Sequence, residues 1–404
     1  MAAADPANEI VITGVGMVSP LGLTLADSWS RLVAGERAGQ WLPESPKLVA
    51  GKDGVSTRFA ACPVPTLLPG DNHRSRLVTY AEQVALEAVT GAQGLDWFAP
   101  ERRGCVIGTS KLELTPLDRD AATADLHHLQ PSHPAQVIGA RYACHSAQLC
   151  PIAACATGLH ALLRGAMLLQ VGTADVVLAG SVDASLHPAF LASYRRLGVM
   201  CRGTDAPAGA CRPFDRSRSG FLVGEGGAMF VLERRRSAEA RGVTPRAVLR
   251  GGGHGCDPTG MTQVDPSGRQ LADFVRHVLH REQIDVESIQ ALALHGTATQ
   301  LNDLAESRGL MEVFGERIHT MPAMATKGAT GHLMGAAGAI ETAFALQALQ
   351  THELPPVANL VEQEEGCRLL LPRCRQSAEL RRIAKFSLGF GGHLAMLVLD
   401  SNLD

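Results

Sequence analysis

Aromatic side chains make up only 4% of this 404-residue chain, too few to tile a surface on which nucleobases stack. An excess of one charge is missing too: 37 Lys and Arg against 40 Asp and Glu leave a formal net charge of -3, so no global basic field invites nucleic acid. Any charged partner has to be held by a local patch. Ten cysteines are present, but none forms a CxxC pair or stands at ligand spacing from histidines, which argues against a zinc site and against a disulfide framework. The opening residues, MAAADPANE, lack the basic-then-apolar order of a secretory signal, and no uninterrupted apolar stretch reaches membrane-spanning length. The expectation is a soluble cytoplasmic protein with reduced thiols, no metal, and neither nucleic acid nor membrane as partner.

What is abundant is apolar surface, 46% of residues with only 19% charged, together with 42 glycines that permit tight turns and close backbone packing. The length exceeds that of one ordinary domain and suggests two fused halves, residues 1–244 and 245–404. The β-branched run at 9–13 should form a strand ending at Gly14 and Gly16; this GVG lacks the third glycine and the acidic residue of a dinucleotide-binding turn. Residues 40–72 read as an irregular excursion, 76–92 as a helix, 105–108 as a buried strand and 134–142 as a helix. The continuous apolar run 174–180 is a strand of the parallel-sheet type. Another strand at 228–233 ends in Arg234, Arg235 and Arg236, which read as its solvated end. From Arg246 the alternation repeats, with helices near 270–280, 303–313 and 335–349 and strands near 289–294, 385–390 and 395–400. The pattern is that of an α/β protein in layers, with helices sandwiched by sheets.

One stretch organises the rest. In PIAACATGLHALLRGAMLLQVG, residues 151–172, apolar side chains cover nearly the whole helical circumference, as in a buried helix. Cys155 stands at its start among alanines and glycine, where a substrate can approach and unpaired backbone N–H groups should lower the thiol pKa. Reactive groups beside small residues recur in HGTATQLND from His295, in TKGATGHLMGAAGAIE with Lys327 and His332, and in GFGG at 389–392.

With VITGVGMVSPLG, CRPFDRSRSGFLVGEGGAMFVLE and FSLGFGG added, these segments make the chain resemble the β-ketoacyl synthases, condensing enzymes of the thiolase-fold superfamily, over nearly its whole length. The resemblance implies a thiolase-like fold of two similar halves in an α-β-α-β-α sandwich, the first half carrying the nucleophile and the second two catalytic histidines. It implies decarboxylative Claisen condensation of an acyl group held on Cys155 with malonyl-acyl carrier protein, in fatty-acid or, given the departures below, specialised polyketide or polyene synthesis. No bound cofactor is implied, because the substrates ride on the phosphopantetheine of the carrier. His295 and His332 would stabilise the enolate formed on decarboxylation, with Lys327 held by Glu341 beside them. The backbone of Cys155 and Phe390 would form the oxyanion hole, and the Phe390 ring would gate the acyl pocket on Gly389, Gly391 and Gly392. Thr297 and Thr299 fit positions that bind the pantetheine arm, with Gly391 and Gly392 also at the substrate. Asp303 and Glu306 match a structural acidic pair beneath the histidine loop. For carrier docking the resemblance points to Arg195 and Arg196 at the tunnel rim, with Arg74 and Arg76 as further candidates.

The chain departs from the family in FSLGFGGHLA, where Phe386, Leu388, His393 and Leu394 replace residues expected at the site floor and gate, and in a shortened stretch between Gly108 and Cys155. A chain-length factor, a partner of the same fold without the cysteine, is the alternative, and retention of Cys155 argues against it. The resemblance also implies a homodimer or a heterodimer with a related subunit, paired through an edge strand in a region that the run 174–180 and the cysteine-bearing segment fit.

Overall fold

A computed structural model describes residues 6–43, 58–65, 75–114, 126–202 and 206–402. Arg74, most of the excursion at 40–72 and residues 115–125 of the stretch between Gly108 and Cys155 lie outside the described residues. The main sheet is built from β1 (Ile10–Val18), β2 (Arg103–Gly108), β3 (Ala147–Leu149), β4 (Val176–Asp183), β5 (Gly226–Arg234), β6 (Ala247–Cys256), β7 (Ala291–Ala293), β8 (Ala323–Met324), β9 (Arg382–Gly389) and β10 (His393–Ser401). Its order is β8-β7-β9-β10-β6-β1-β5-β4-β2-β3. The first five strands stand in the order β3-β2-β4-β5-β1, and the last five repeat it as β8-β7-β9-β10-β6. Pairing directions repeat as well: β2 is parallel to β3 and β4, as β7 is to β8 and β9, and the remaining pairs within each set are antiparallel. Among the described residues the two sets are paired in the sheet through β1 and β6, where Val11 lies opposite Val248 and Ile12 opposite Ala247.

Helices Thr157–Gln170 and Ala337–Thr351 pack on each other and on strands from both sets, which makes them the middle layer. Residues 337–349 are buried almost throughout and rich in alanine, so this helix can be covered on every side. Arg76–Gly91 covers the outer face of β1 and β5, and Arg269–Arg281 that of β6 and β10. The result is the α-β-α-β-α layering, and both middle helices start next to the site. Among the described residues no helix is long and apolar enough to cross a membrane.

Three local expectations need correction. First, β1 does not stop at Gly14 and Gly16 but runs through them, because helix Arg76–Gly91 presses directly on the strand. A Cβ at Gly14 would lie 1.9 Å from the Ala88 carbonyl oxygen and one at Gly16 2.1 Å from that of Val84. Second, Arg234 is no solvated strand end: it is buried, pairing with Asp175 at 3.0 Å and donating to the Leu169 carbonyl, while Arg235 opens a helix and pairs with Glu9. Third, β4, the run expected at an edge, lies inside the sheet between β2 and β5, which is why it is apolar on both faces. The edge belongs to the short β3.

Candidate active site

Cys155 sits in a tight turn, Ala154–Ala156, that runs directly into the middle-layer helix. Ala154 takes the left-handed conformation at φ 47°, a strained position for a residue with a side chain. Thr157 holds the turn: its hydroxyl accepts the Ala153 N–H at 2.9 Å and donates to the Ala154 carbonyl at 2.7 Å. The N–H of Phe390 bears on the thiol. The expected acidic thiol is not found. Burial pushes Cys155 up to about 11, outweighing the opposing pull of the Lys327 and Lys111 ammonium groups, and Asp183 adds to the rise. Proximity to a helix start does not overcome the cost of placing a thiolate in so dry a site.

His295 follows β7, and its loop is braced from below by two buried carboxylates. Glu306 accepts the N–H of His295 at 2.6 Å and of Gly296 at 2.8 Å, and burial still pushes its carboxyl up to about 7. Asp303 accepts the Phe214 N–H at 2.7 Å and the Ala298 N–H at 3.2 Å, and lies 3.7 Å from the fully buried Arg218. The His295 and His332 rings meet edge to face, centroids 5.4 Å apart, and the Phe221 ring lies 4.9 Å from that of His332, also edge to face. Burial, then Lys327, drives both imidazoles well below their ordinary pKa, so both are neutral. His332 Nδ1 accepts the Met334 N–H at 3.2 Å, and the Lys327 ammonium stands 3.3 Å from His295 Nδ1. A neutral imidazole that accepts at Nδ1 carries its proton at Nε2, so each ring becomes a hydrogen-bond donor through that atom.

Lys327 is locked by the His295 carbonyl and the Glu341 carboxylate. The other oxygen of Glu341 pairs at 2.7 Å with Lys385, a second fully buried lysine, which also donates to the Phe386 carbonyl. Sequence reasoning missed Lys385. Its signal was there: it is the one charged residue in the otherwise apolar run IAKFSLGF, residues 383–390.

Cys155, His332, Phe390, Thr297 and Thr299 line one cavity of about 720 Å³, with Leu388 and Met334. The hydroxyls of Thr297 and Thr299 are 2.8 Å apart. The turn after β9 keeps its shape through Gly391 and Gly392 at φ 83° and 77°; a Cβ on Gly392 would lie 2.1 Å from the Asp257 carbonyl oxygen. Of the residues that depart from the family pattern, Leu388 reaches the cavity, Phe386 and Leu394 are buried in the core of the second half, and His393 packs 5.7 Å from His160. Arg195 and Arg196 are exposed on the helix Pro188–Arg196, Arg195 stacking 3.9 Å over Phe59. Arg76 is committed elsewhere, to the buried Glu225 and to Tyr80. Also missed were Lys111 and Tyr194, which line the same cavity.

With this geometry in view, comparison with known proteins is direct. Residues 7–238 match the profile "Beta-ketoacyl synthase, N-terminal domain" and residues 246–361 the profile "Beta-ketoacyl synthase, C-terminal domain". The chain belongs to the β-ketoacyl synthase family of condensing enzymes, which are acyltransferases. It is 28% identical to the 3-oxoacyl-acyl-carrier-protein synthase 2 of Coxiella burnetii, covering 98% of this chain and 99% of that protein. It is 29% identical to the tetracenomycin polyketide synthase ketoacyl synthase alpha subunit of Streptomyces glaucescens, covering 97% and 96%. Among solved structures it is similar to the ishigamide ketosynthase/chain length factor, with 27% identity, a TM-score of 0.83, and 98% and 99% of the two chains covered.

Proposed function

We propose that Cys155 accepts an acyl group from an acyl carrier protein and that His295 and His332 drive its condensation with a malonyl unit on the same kind of carrier. The supporting observation is the meeting, around one cavity, of a buried thiol, the Phe390 N–H and the neutral His332 imidazole, which is in ring contact with that of His295. In the first half-reaction Cys155 Sγ attacks the thioester carbon, and the pantetheine thiol leaves with the proton that the cysteine gives up. The N–H groups of Cys155 and Phe390 hold the oxyanion. In the second, carbon dioxide leaves the malonyl unit, the Nε2–H groups of His295 and His332 hold the enolate oxygen, and the enolate carbon attacks the acyl carbon. Cys155 is then released and the lengthened β-ketoacyl group stays on the carrier. Lys327, Glu341, Glu306 and Asp303 position the histidines and touch no substrate. The chemistry needs no free cofactor. Thr297 and Thr299, with Gly391 and Gly392, would contact the pantetheine arm.

On this reading residues 1–244 form the half that holds the cysteine and 245–404 the half that holds the histidines, a division that the repeated strand order supports. Similarity to a polyketide synthase subunit and to a ketosynthase/chain length factor favours a specialised polyketide or polyene-type pathway and a paired assembly. The edge strand β3, with Ile152, Met167 and Val171 exposed nearby, is the surface for that partner, a second copy or a related subunit. The chain-length-factor role is disfavoured by the intact thiol and histidine pair. Intact-mass measurement after incubation with acyl-loaded carrier protein tests the central step. An adduct lost in Cys155→Ala is expected, and one retained in that variant would overturn the assignment.

A further inference from the structure

The cavity at Cys155 holds an ionised side chain that the proposed mechanism does not use. Lys111 lines it with Cys155, Tyr194 and Phe390, and its charge acts on the Cys155 thiol. Its ammonium donates to the hydroxyls of Ser110 and, at 2.6 Å, Ser185, and stands 5.2 Å and 5.6 Å over the rings of Phe190 and Tyr194. Asp183 keeps it charged against burial. The contact to Asp183 Oδ1, however, is 3.5 Å long, beyond an ordinary hydrogen bond, so the ammonium, which there also faces the Tyr194 hydroxyl, can turn to a carbonyl acceptor that enters the cavity. Asp183 does not depend on Lys111: it accepts two backbone N–H groups, from Gly335 at 3.1 Å and Ser110 at 3.3 Å, and the hydroxyls of Ser110 and Ser185.

A saturated acyl chain laid along this wall would strip water from an ammonium and return nothing. An acyl chain with a carbonyl oxygen near the thioester would return a charge-assisted hydrogen bond. We propose that Lys111 is a specificity-determining residue, and that Cys155 is loaded with short acyl groups carrying a β-oxygen in preference to saturated ones. The inference rests on Cys155 being the acyl acceptor.

The test compares acetoacetyl and butyryl phosphopantetheine thioesters, which differ at one carbon, with hexanoyl as a longer saturated probe. Loading of Cys155 is followed by intact mass and each rate is divided by the rate of the same thioester with free cysteine. The wild-type protein should favour acetoacetyl over butyryl by about tenfold or more, as sites built to hydrogen-bond a substrate group do. Lys111→Met should bring that ratio close to one and make hexanoyl the better of the saturated pair. A ratio cancels any general change in thiol reactivity. Lys111→Gln, which keeps a donor toward Asp183 without the charge, should lower the ratio to an intermediate value and stands in if the methionine variant does not fold. Equal loading of acetoacetyl and butyryl by the wild type, or an unchanged ratio in both variants, would overturn the inference. Absence of any adduct with all three probes would instead overturn the assignment of Cys155 as acyl acceptor, and this inference with it.

Discussion

Glu341 is the anion on which two buried cations depend, so Glu341→Gln should destabilise the protein far more than Lys385→Met. At 2.7 Å the Lys385–Glu341 attraction is about 6 kcal/mol at an effective dielectric constant near 20, against a desolvation cost of several kcal/mol for each ion. Glutamine at 341 removes the attraction for Lys385 and for Lys327 together while leaving both ammonium groups buried. The expected loss is about 3–5 kcal/mol, the range for breaking a buried pair. For a chain of 404 residues that lowers the unfolding midpoint by about 4–6 °C. Methionine at 385 fills the space of the lysine stem and leaves Glu341 paired with Lys327, so its cost should stay below about 1 kcal/mol. The two also differ in pH dependence. Burial, opposed by Glu341 and reinforced by Lys327, lowers the pKa of Lys385. The unfolded chain therefore binds more protons at this group than the folded one below pH 10.5, and stability rises with pH toward that value. Lys385→Met should flatten this alkaline rise. Differential scanning calorimetry of both variants between pH 7 and 10 measures all of this, and equal midpoint losses in the two would refute the view that the lysines share one carboxylate.

Because burial holds the Cys155 thiol near 11, its alkylation by iodoacetamide should accelerate about tenfold per pH unit from pH 7 to 10. Levelling off near pH 8 would show an acidic thiol instead. Charge reversal at Arg195 and Arg196 should raise KM for carrier-bound substrate and weaken its salt dependence, leaving kcat nearly unchanged. A salt-insensitive, unaltered KM would remove these arginines from docking.

The sequence by itself determined most of the elements and marked the candidate reactive groups. Continuous apolar runs gave away β4 and the two middle-layer helices, because an element buried on all sides needs no polar face. Cys155, His295, His332 and Lys327 were legible because each stands in a short segment whose small neighbours leave room for another chain or a substrate. Tertiary structure decided what such local patterns do not encode. The hydrophobicity of 174–180 says that the strand is covered but not by what, and only the strand order moves the edge to β3. The glycines of β1 look like a stop until the helix that presses on them is in place. The Cys155 environment depends on desolvation and on Lys111 and Lys327, contributed by segments far away in the chain. Lys111 looks like an ordinary surface residue in sequence, and Lys385 stands out only as a charge within an apolar run. Packing removes water from them, and the free energy of a buried charge depends on the partners that topology brings to it, here Asp183 and Glu341.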